Sequence, residues 1–303
     1  MSVYGVIAGI GAGFRVVTAL KNNDVGKEID KPTEKNDNKI VDKFEKGDET
    51  VDKVIVPKVP GCNEKQDQAW YENAVVQIVK DFESGKFKGE IGRGDIEAEK
   101  NALEAKEARG ETLSATEKAA LNAYNYLLTI PGAFKQVATA AGGDQNSISQ
   151  TDAIAAKEKL PALKFDQPMK EGDYTPSDWY GKVRSNGKTH QGTDYAADEG
   201  TPVYAAENGT VTKVVHYEGN DHPNYNGATA YGTYIEVTHR DGTVTRYSHL
   251  QHNGVKVSPG EPVYKGQEIG AVGNTGYSTG SHLDFEIQDK NGNRVNPKNY
   301  GIA

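Results

Sequence analysis

Apolar residues recur at three-to-four spacing from about residue 64 and at two-residue spacing after about residue 166, so the chain changes from a helical to a strand pattern. QDQAWYENAVVQIVKDF places Trp70, Val75, Ile78, Val79 and Phe82 near one helical face, and GDIEAEKNALEAKEARG reads as a second, mostly solvated helix. Ser114 with Glu117 forms a capping box for SATEKAALNAYNYLLTI, because each side chain can satisfy the other's orphan backbone amide. Pro131 suits the first turn of the next helix and Gly142–Gly143 its end, while Ser149 with Asp152 opens another that stops before Pro161. Tyr124, Tyr126, Leu127 and Leu128 are expected in the core of this unit. Beyond Pro161, KFDQPMKEGDYTPSDWYGK reads as a linker turning into short strands. GTPVYAAENGTVTKVVHY, GTYIEVTHRDGTVTRYSHL and GQEIGAVGNTGY then alternate apolar and polar residues between glycine turns, and Asp241-Gly242 marks a two-residue hairpin. The expectation is an α+β chain of two domains: helical over 64–165 and antiparallel all-β over 166–303.

The first 63 residues read differently. Residues 1–20 are apolar and glycine-rich, and Gly5, Gly9 and Gly13 have the spacing that lets helices approach closely in lipid. Arg15 interrupts the run, which falls short of the roughly 20 residues a spanning helix needs, so no stable membrane span is expected and the segment packs locally. It lacks the basic leader of a secretory signal, which points to synthesis in the cytoplasm without export by that route. Residues 21–63 mix Lys, Asp, Glu and Asn with too few apolar groups to repay ordering, and read as a polar tether.

Composition narrows the function. A formal net charge of −8 offers no basic face for nucleic acid, and the single cysteine, Cys62, excludes an intramolecular disulfide and reads as an ordinary thiol. GGDQNSISQTD at 142–152 superficially resembles a calcium loop. With Asp152 as its closing acid, however, the first and third ligand positions fall on Ala141 and Gly143, and Asn146 replaces the turn glycine, so no calcium site is expected.

All seven histidines lie after residue 189. His190 precedes Asp194 in THQGTD, and Gly192 between them permits a tight turn that lets both side chains converge. His282, Asp284 and Glu286 share one face of a strand, with Leu283 and Phe285 facing the core, and His249 ends the strand RYSHL. A hydrolytic zinc centre needs about three protein ligands, one open position, and polar groups above it, all of which this set can supply. His216, His222, His239 and His252 lie in or beside turns and are expected to be solvated. The long aromatic loop 216–232 reads as a groove wall.

HQGTDYAADEGTPVYAAENGTV, YSHL and GNTGYSTGSHLDFEI followed by VNP together resemble the lysostaphin/LytM-type zinc endopeptidases that cut peptidoglycan cross-bridges, over about 180–300. The resemblance implies zinc ligands at His190 and Asp194, an assisting histidine at His249, and a closing HxH whose first histidine, His282, assists catalysis. The second position of that motif, a metal ligand in the family, is Asp284 here. Three explanations stand: a His/Asp/Asp site that still holds metal, a degenerate domain that binds peptidoglycan or regulates another wall hydrolase, or a substitution introduced to inactivate the protein. An aspartate oxygen is two bonds from Cβ, as is a histidine Nδ1, so Asp284 could replace a histidine that binds through Nδ1. Two carboxylates and one imidazole would neutralise the ion's formal charge and let other divalent metals such as manganese compete. By strand parity Glu286 is placed to hold a ligand. The reading favoured is a zinc-dependent peptidoglycan endopeptidase acting in the periplasm or cell wall of a target bacterium. It would be an antibacterial effector delivered by a secretion apparatus and met by an immunity protein.

Overall fold

Two short strands, β1 (Gly5–Gly9) and β2 (Phe14–Thr18), pair antiparallel from Gly5 opposite Thr18 to Gly9 opposite Phe14. The glycines at 5 and 9 thus sit in an extended ladder rather than on a helix face. This computed structural model describes residues 5–9, 14–18, 56–184, 187–217 and 227–302; the part of the 21–63 tether before residue 56, His222 and the middle of the 216–232 loop lie outside the described residues. No helix among the described residues is long and apolar enough to cross a membrane.

The helical part is built by its caps and its apolar faces. α1 (Glu64–Glu83) starts at Asn63, whose side chain accepts from the Lys65 and Gln66 amides while Gln66 reaches back to the Asn63 amide. β3 (Ile91–Gly92) leads into α2 (Arg93–Ala108), which buries only Ile96 and Leu103. α3 (Ala115–Thr129) carries the Ser114–Glu117 capping box. Pro131 lies just before α4 (Ala133–Ala138), not in its first turn, because Gly132 at φ +83° takes the N-cap and redirects the chain there. That helix is also shorter than Gly142–Gly143 suggest, ending at the Thr139 cap. β4 (Ser147–Ile148) pairs with β3, and α5 (Gln150–Glu158) begins at Ser149. The Asp152 carboxylate accepts from the Ser149 amide and hydroxyl and from the Ala141 amide, so it serves as a helix cap. Tyr71, Tyr124, Tyr126 and Leu127 are fully buried in this core with Val75, Ile78 and Phe134. Leu128 is only partly buried against it.

The second core belongs to strands. β5 (Thr175–Asp178), β6 (Thr193–Ala196), β7 (Pro202–Tyr204), β8 (Gly209–Val215), β9 (Thr233–Thr238), β10 (Val244–Leu250), β11 (Pro262–Val263), β12 (Glu268–Ala271), β13 (His282–Gln288) and β14 (Arg294–Val295) follow in order. One antiparallel sheet runs β11-β8-β9-β10-β13-β6-β5, with β14 also on β13, and β12 pairs with β7 separately. Val211, Ile235, Tyr247, Leu283, Phe285 and Ile287 project to the buried side. The fold is therefore α+β with a C-terminal antiparallel sheet.

The helical part docks on the β8/β11 edge, far along the sheet from β6 and β5. Asn122 Nδ2 donates to the Gly260 carbonyl at 2.9 Å, Thr210 Oγ1 donates to Asn73 Oδ1 at 3.0 Å, and buried Glu72 meets both Asn208 (3.2 Å) and Arg240 (3.4 Å). Gly260, at φ +88°, has no room for a side chain, since a Cβ there would stand 2.3 Å from Lys118 Cβ. Covering an edge strand in this way removes an unpaired ladder from solvent.

Candidate metal centre

The pairing of β13 with β6 places Asp284 directly opposite Asp194, and β10 puts Ser248 opposite Asp284 on the other side. Two carboxylates facing each other across adjacent strands repel, so the fold carries a cost here that a cation would relieve. His190, on the segment before β6, points its Nε2 between them, 3.2 Å from Asp194 Oδ1 and 3.5 Å from Asp284 Oδ1. All three residues are buried, and none of these three atoms has a hydrogen-bond partner. Buried polar atoms are nearly always satisfied. Donors about 2.0–2.2 Å from one tetrahedral ion would lie about 3.3–3.6 Å apart. The two separations from His190 Nε2 fit that spacing, and one imidazole with two carboxylates is a donor set that zinc or manganese accepts.

Gly192 matters for a reason other than a turn. It does not adopt a left-handed conformation; instead a Cβ there would stand 2.4 Å from Asp284 Oδ1 and 2.9 Å from the Phe285 carbonyl. The close approach of this backbone to β13 lets His190 and Asp194 reach Asp284. Gly192→Ala should therefore displace Asp284, lower stability by roughly 1–3 kcal/mol through overpacking and weaken divalent-metal binding. Melting curves with and without zinc check both effects.

Two further rings stand over the triad. His249 and His282 have centroids 4.6 Å apart. His249 interrupts the β10–β9 register and is the only described non-glycine residue with positive φ (+62°), a conformation in which histidine is enriched but still uncommon. That twist turns its Nδ1 to the Thr275 carbonyl at 2.7 Å. A carbonyl only accepts, so Nδ1 carries the proton and Nε2 presents a lone pair when the ring is neutral. Burial, and then the neighbouring His282, hold His249 below the ordinary histidine range. His282 is fixed similarly: its Nδ1 lies 2.8 Å from the Gly280 carbonyl and 3.2 Å from Ser278 Oγ, and its Nε2 lies 3.9 Å from Asp194 Oδ1.

Burial opposes charge on His190, yet the adjacent Asp194 and Asp284 carboxylates outweigh it and push its pKa up to about 9. Burial likewise favours neutral Asp284, but His190, His249 and His282 around it win and lower its pKa. The sign for stability follows. A proton held more tightly in the fold than in the unfolded chain stabilises fully below pH about 6.5 and loses that contribution as the pH rises to about 9. Metal-free protein should therefore melt at progressively lower temperature across that window. Zinc affinity should rise over the same interval, because the ion must displace that proton. Melts in chelator at stepped pH test the first trend, and a flat profile would show that His190 is not paired as drawn.

Glu286 shares the Asp284 face and is 4% exposed, but it pairs with arginines: Arg246 and Arg294 each at 2.9 Å. Burial and then Asp284 raise its pKa, against those guanidinium groups. Arg246 also binds Glu236 at 2.7 Å and lies over the Tyr231 ring at 4.3 Å, while Arg294 donates to the Tyr231 hydroxyl at 2.6 Å. The described end of the 216–232 loop is thus pinned to the floor beside the triad. His216 and His252 are exposed. His239, expected to be solvated, is instead buried: its ring bonds the Asn208 carbonyl and Thr245 Oγ1 and packs edge-on against Phe165. The Asp241-Gly242 turn places it under the sheet, where its two nitrogens find partners.

Sequence reasoning missed Asp178 and Arg184. Asp178 ends β5 with Oδ2 3.7 Å from His190 Nδ1, and Asp178, His190 and Asp194 can also be grouped as metal donors. The trio with Asp284 is preferred here, because Asp178 is already engaged by Lys182 (3.0 Å), Arg184 (3.1 Å) and the Trp179 amide. Nothing in TPSDWYGKVRS marks these residues until β5 pairs with β6 and Val183 bridges Thr189. Thr275 was equally silent. It organises His249 through its carbonyl, while its hydroxyl donates to the Leu250 carbonyl and accepts from the Thr233 amide.

Comparison with known proteins places this geometry. The model for peptidase family M23 matches residues 188–297. The peptidoglycan DD-endopeptidase ShyC of Vibrio cholerae is 40% identical over 111 residues, which are 37% of this chain and 22% of that protein; ShyA of the same organism is 39% identical over 98 residues, 32% and 20% respectively. The chain therefore spans about a fifth of the length of these relatives. Among solved structures, the catalytic domain of lysostaphin from Staphylococcus simulans is 30% identical, with a TM-score of 0.35 over 42% of this chain and 91% of that one. A zinc-containing peptidase from Vibrio cholerae is 28% identical, with a TM-score of 0.37 over 44% and 39%. The matched segment contains all five residues of the triad and its two overlying histidines, and residues 188–297 are a peptidase family M23 domain.

Proposed function

We propose that the chain is a divalent-metal-dependent endopeptidase that hydrolyses peptide cross-links of peptidoglycan, with His190, Asp194 and Asp284 as metal ligands. The observation that supports this most is the convergence of three partnerless buried donor atoms at 3.2 and 3.5 Å, under two histidines fixed through their Nδ1 atoms. M23 peptidases are zinc-dependent, and the names of the two Vibrio relatives point to D,D-cross-links as the substrate class.

Zinc held by the triad would polarise the scissile carbonyl and activate water for attack on it. His249 supplies a neutral Nε2 lone pair in a buried setting, which suits a general base that takes the water's proton. His282 presents Nε2 to the same space, and its protonated form would donate to the developing oxyanion and then to the departing amine. Thr275 and the Gly280 carbonyl keep both rings from rotating, so little reorganisation accompanies the reaction. Glu286, locked by two arginines, stiffens the strand that carries Asp284.

The finer reading is an antibacterial effector injected into a target cell, neutralised in its producer by an immunity protein. Its support is architectural: a helical part sits on the β8/β11 edge, leaving the metal centre clear for substrate or inhibitor. Deletion of residues 1–60 with no change in delivery would remove that support.

Digestion of cross-linked muropeptides by the full chain, before and after chelation and zinc readdition, tests the enzymatic reading. Zinc-restored cleavage is expected. Stoichiometric metal without cleavage of any cross-linked muropeptide would instead indicate a wall-binding or regulatory domain, the reading that the aspartate at 284 keeps open.

A further inference from the structure

The ligand set poses a problem of charge. Asp194 and Asp284 already cancel a divalent ion, and Asp178 adds a third carboxylate 3.7 Å from His190 Nδ1. An ion so neutralised would polarise a carbonyl poorly. Two cations stand on the outer side of this cluster. Arg184 Nη2 donates to Asp194 Oδ2 at 2.7 Å and its Nε to Asp178 Oδ2 at 3.1 Å, while Lys182 Nζ lies 3.0 Å from Asp178 Oδ1. Three carboxylates against two cations leave one net negative charge, the same as two histidines and one aspartate would present.

Building on the metal-centre reading above, we propose that Arg184 is a positioning residue that adapts the centre to Asp284. Its fork clamps Asp194 Oδ2 outward so that only Oδ1 faces the ion, and its charge offsets the carboxylate that replaces a neutral ligand. The geometry separates the two oxygens of Asp194 cleanly: Oδ2 is taken by the guanidinium, and Oδ1 is the buried atom without a hydrogen-bond partner. A planar guanidinium can bridge Asp178 and Asp194 at once, which a lysine ammonium, a compact point charge, cannot reproduce. A single-oxygen Asp194 keeps the donor count low, which suits tetrahedral zinc. Freed to offer both oxygens, the same aspartate would suit ions that take more oxygen ligands.

Competitive titration of zinc and manganese into full-length wild type, Arg184→Gln and Arg184→Lys tests this, using a chromophoric chelator as the reference. Arg184 is 40% exposed, so the glutamine variant should remain folded, and melting curves check that. Arg184→Gln is expected to lower the preference for zinc over manganese about tenfold, at the lower end of what outer partners of metal ligands contribute. Arg184→Lys should fall between it and wild type. A ratio within twofold of wild type, or increased, in both variants would overturn the role of Arg184 while leaving the metal centre standing. Wild type that binds neither ion would overturn the centre itself and the proposal with it. If the glutamine variant fails to fold, the lysine variant decides alone, by the same ratio.

Discussion

Asp284→Ala is expected to weaken zinc binding by more than a hundredfold and to abolish cleavage of cross-linked peptidoglycan, while lowering the melting temperature of the metal-free protein at neutral pH. Loss of a direct ligand should exceed the roughly 10–100-fold cost of losing an outer partner. The stability half reports the same electrostatics without metal. Asp284 faces Asp194 directly across the β13–β6 ladder, and removing it relieves that repulsion, but the histidines around it favour its charge in the fold by more than the repulsion costs. Melting curves in chelator and with saturating zinc read both effects. Asp284→His is the companion variant: it keeps a donor at the position and changes its charge, so retained zinc binding there would separate ligation from electrostatics.

His249→Asn should leave zinc affinity within about twofold of wild type and reduce kcat by roughly 10²–10⁴, the usual contribution of a positioned general base. Asparagine is chosen because position 249 has φ +62°, a region it tolerates, whereas alanine would add backbone strain to the chemical loss. The variant can still donate to the Thr275 carbonyl but has no lone pair that takes a proton at neutral pH. Single-turnover digestion of a defined cross-linked muropeptide measures the change. A loss confined to KM would mean that His249 binds substrate without moving a proton.

Much of this was readable before any coordinates. The alternation in HLDFEI put Leu283 and Phe285 inward and His282 and Asp284 together, and the structure keeps that parity because a strand's faces are fixed by its period of two. The capping boxes at Ser114 and Ser149 were equally legible, since the partners lie three residues apart and need no tertiary context. Features set by long-range pairing were not. Asp178 reaches the triad only because β5 lies against β6, and Arg184 because residues 182–184 pair back on 188–190. Gly192 looked like a turn residue, and its actual constraint, the closeness of β13, involves atoms some ninety positions away in the chain. His239 carried a turn signal on its C-terminal side and gave no hint of the partners that bury it. Glu72 and Asn73 lie on a helix whose other buried positions are mostly apolar, and they are buried because a second layer, the β8 edge, meets them. At the start of the chain the GxxxG spacing did not reveal the β1–β2 pairing, because glycine is tolerated on a close helix face and in an extended ladder alike.

The most direct test of the metal centre is a crystal structure of the full chain grown with zinc, with anomalous differences collected on both sides of the zinc edge. One peak is predicted about 2.0–2.2 Å from His190 Nε2, Asp194 Oδ1 and Asp284 Oδ1, with the Nε2 atoms of His249 and His282 facing its open side. A peak on the His190 Nδ1 side beside Asp178, or an Asp284 carboxylate turned away from an ion held by the other two residues, would contradict it.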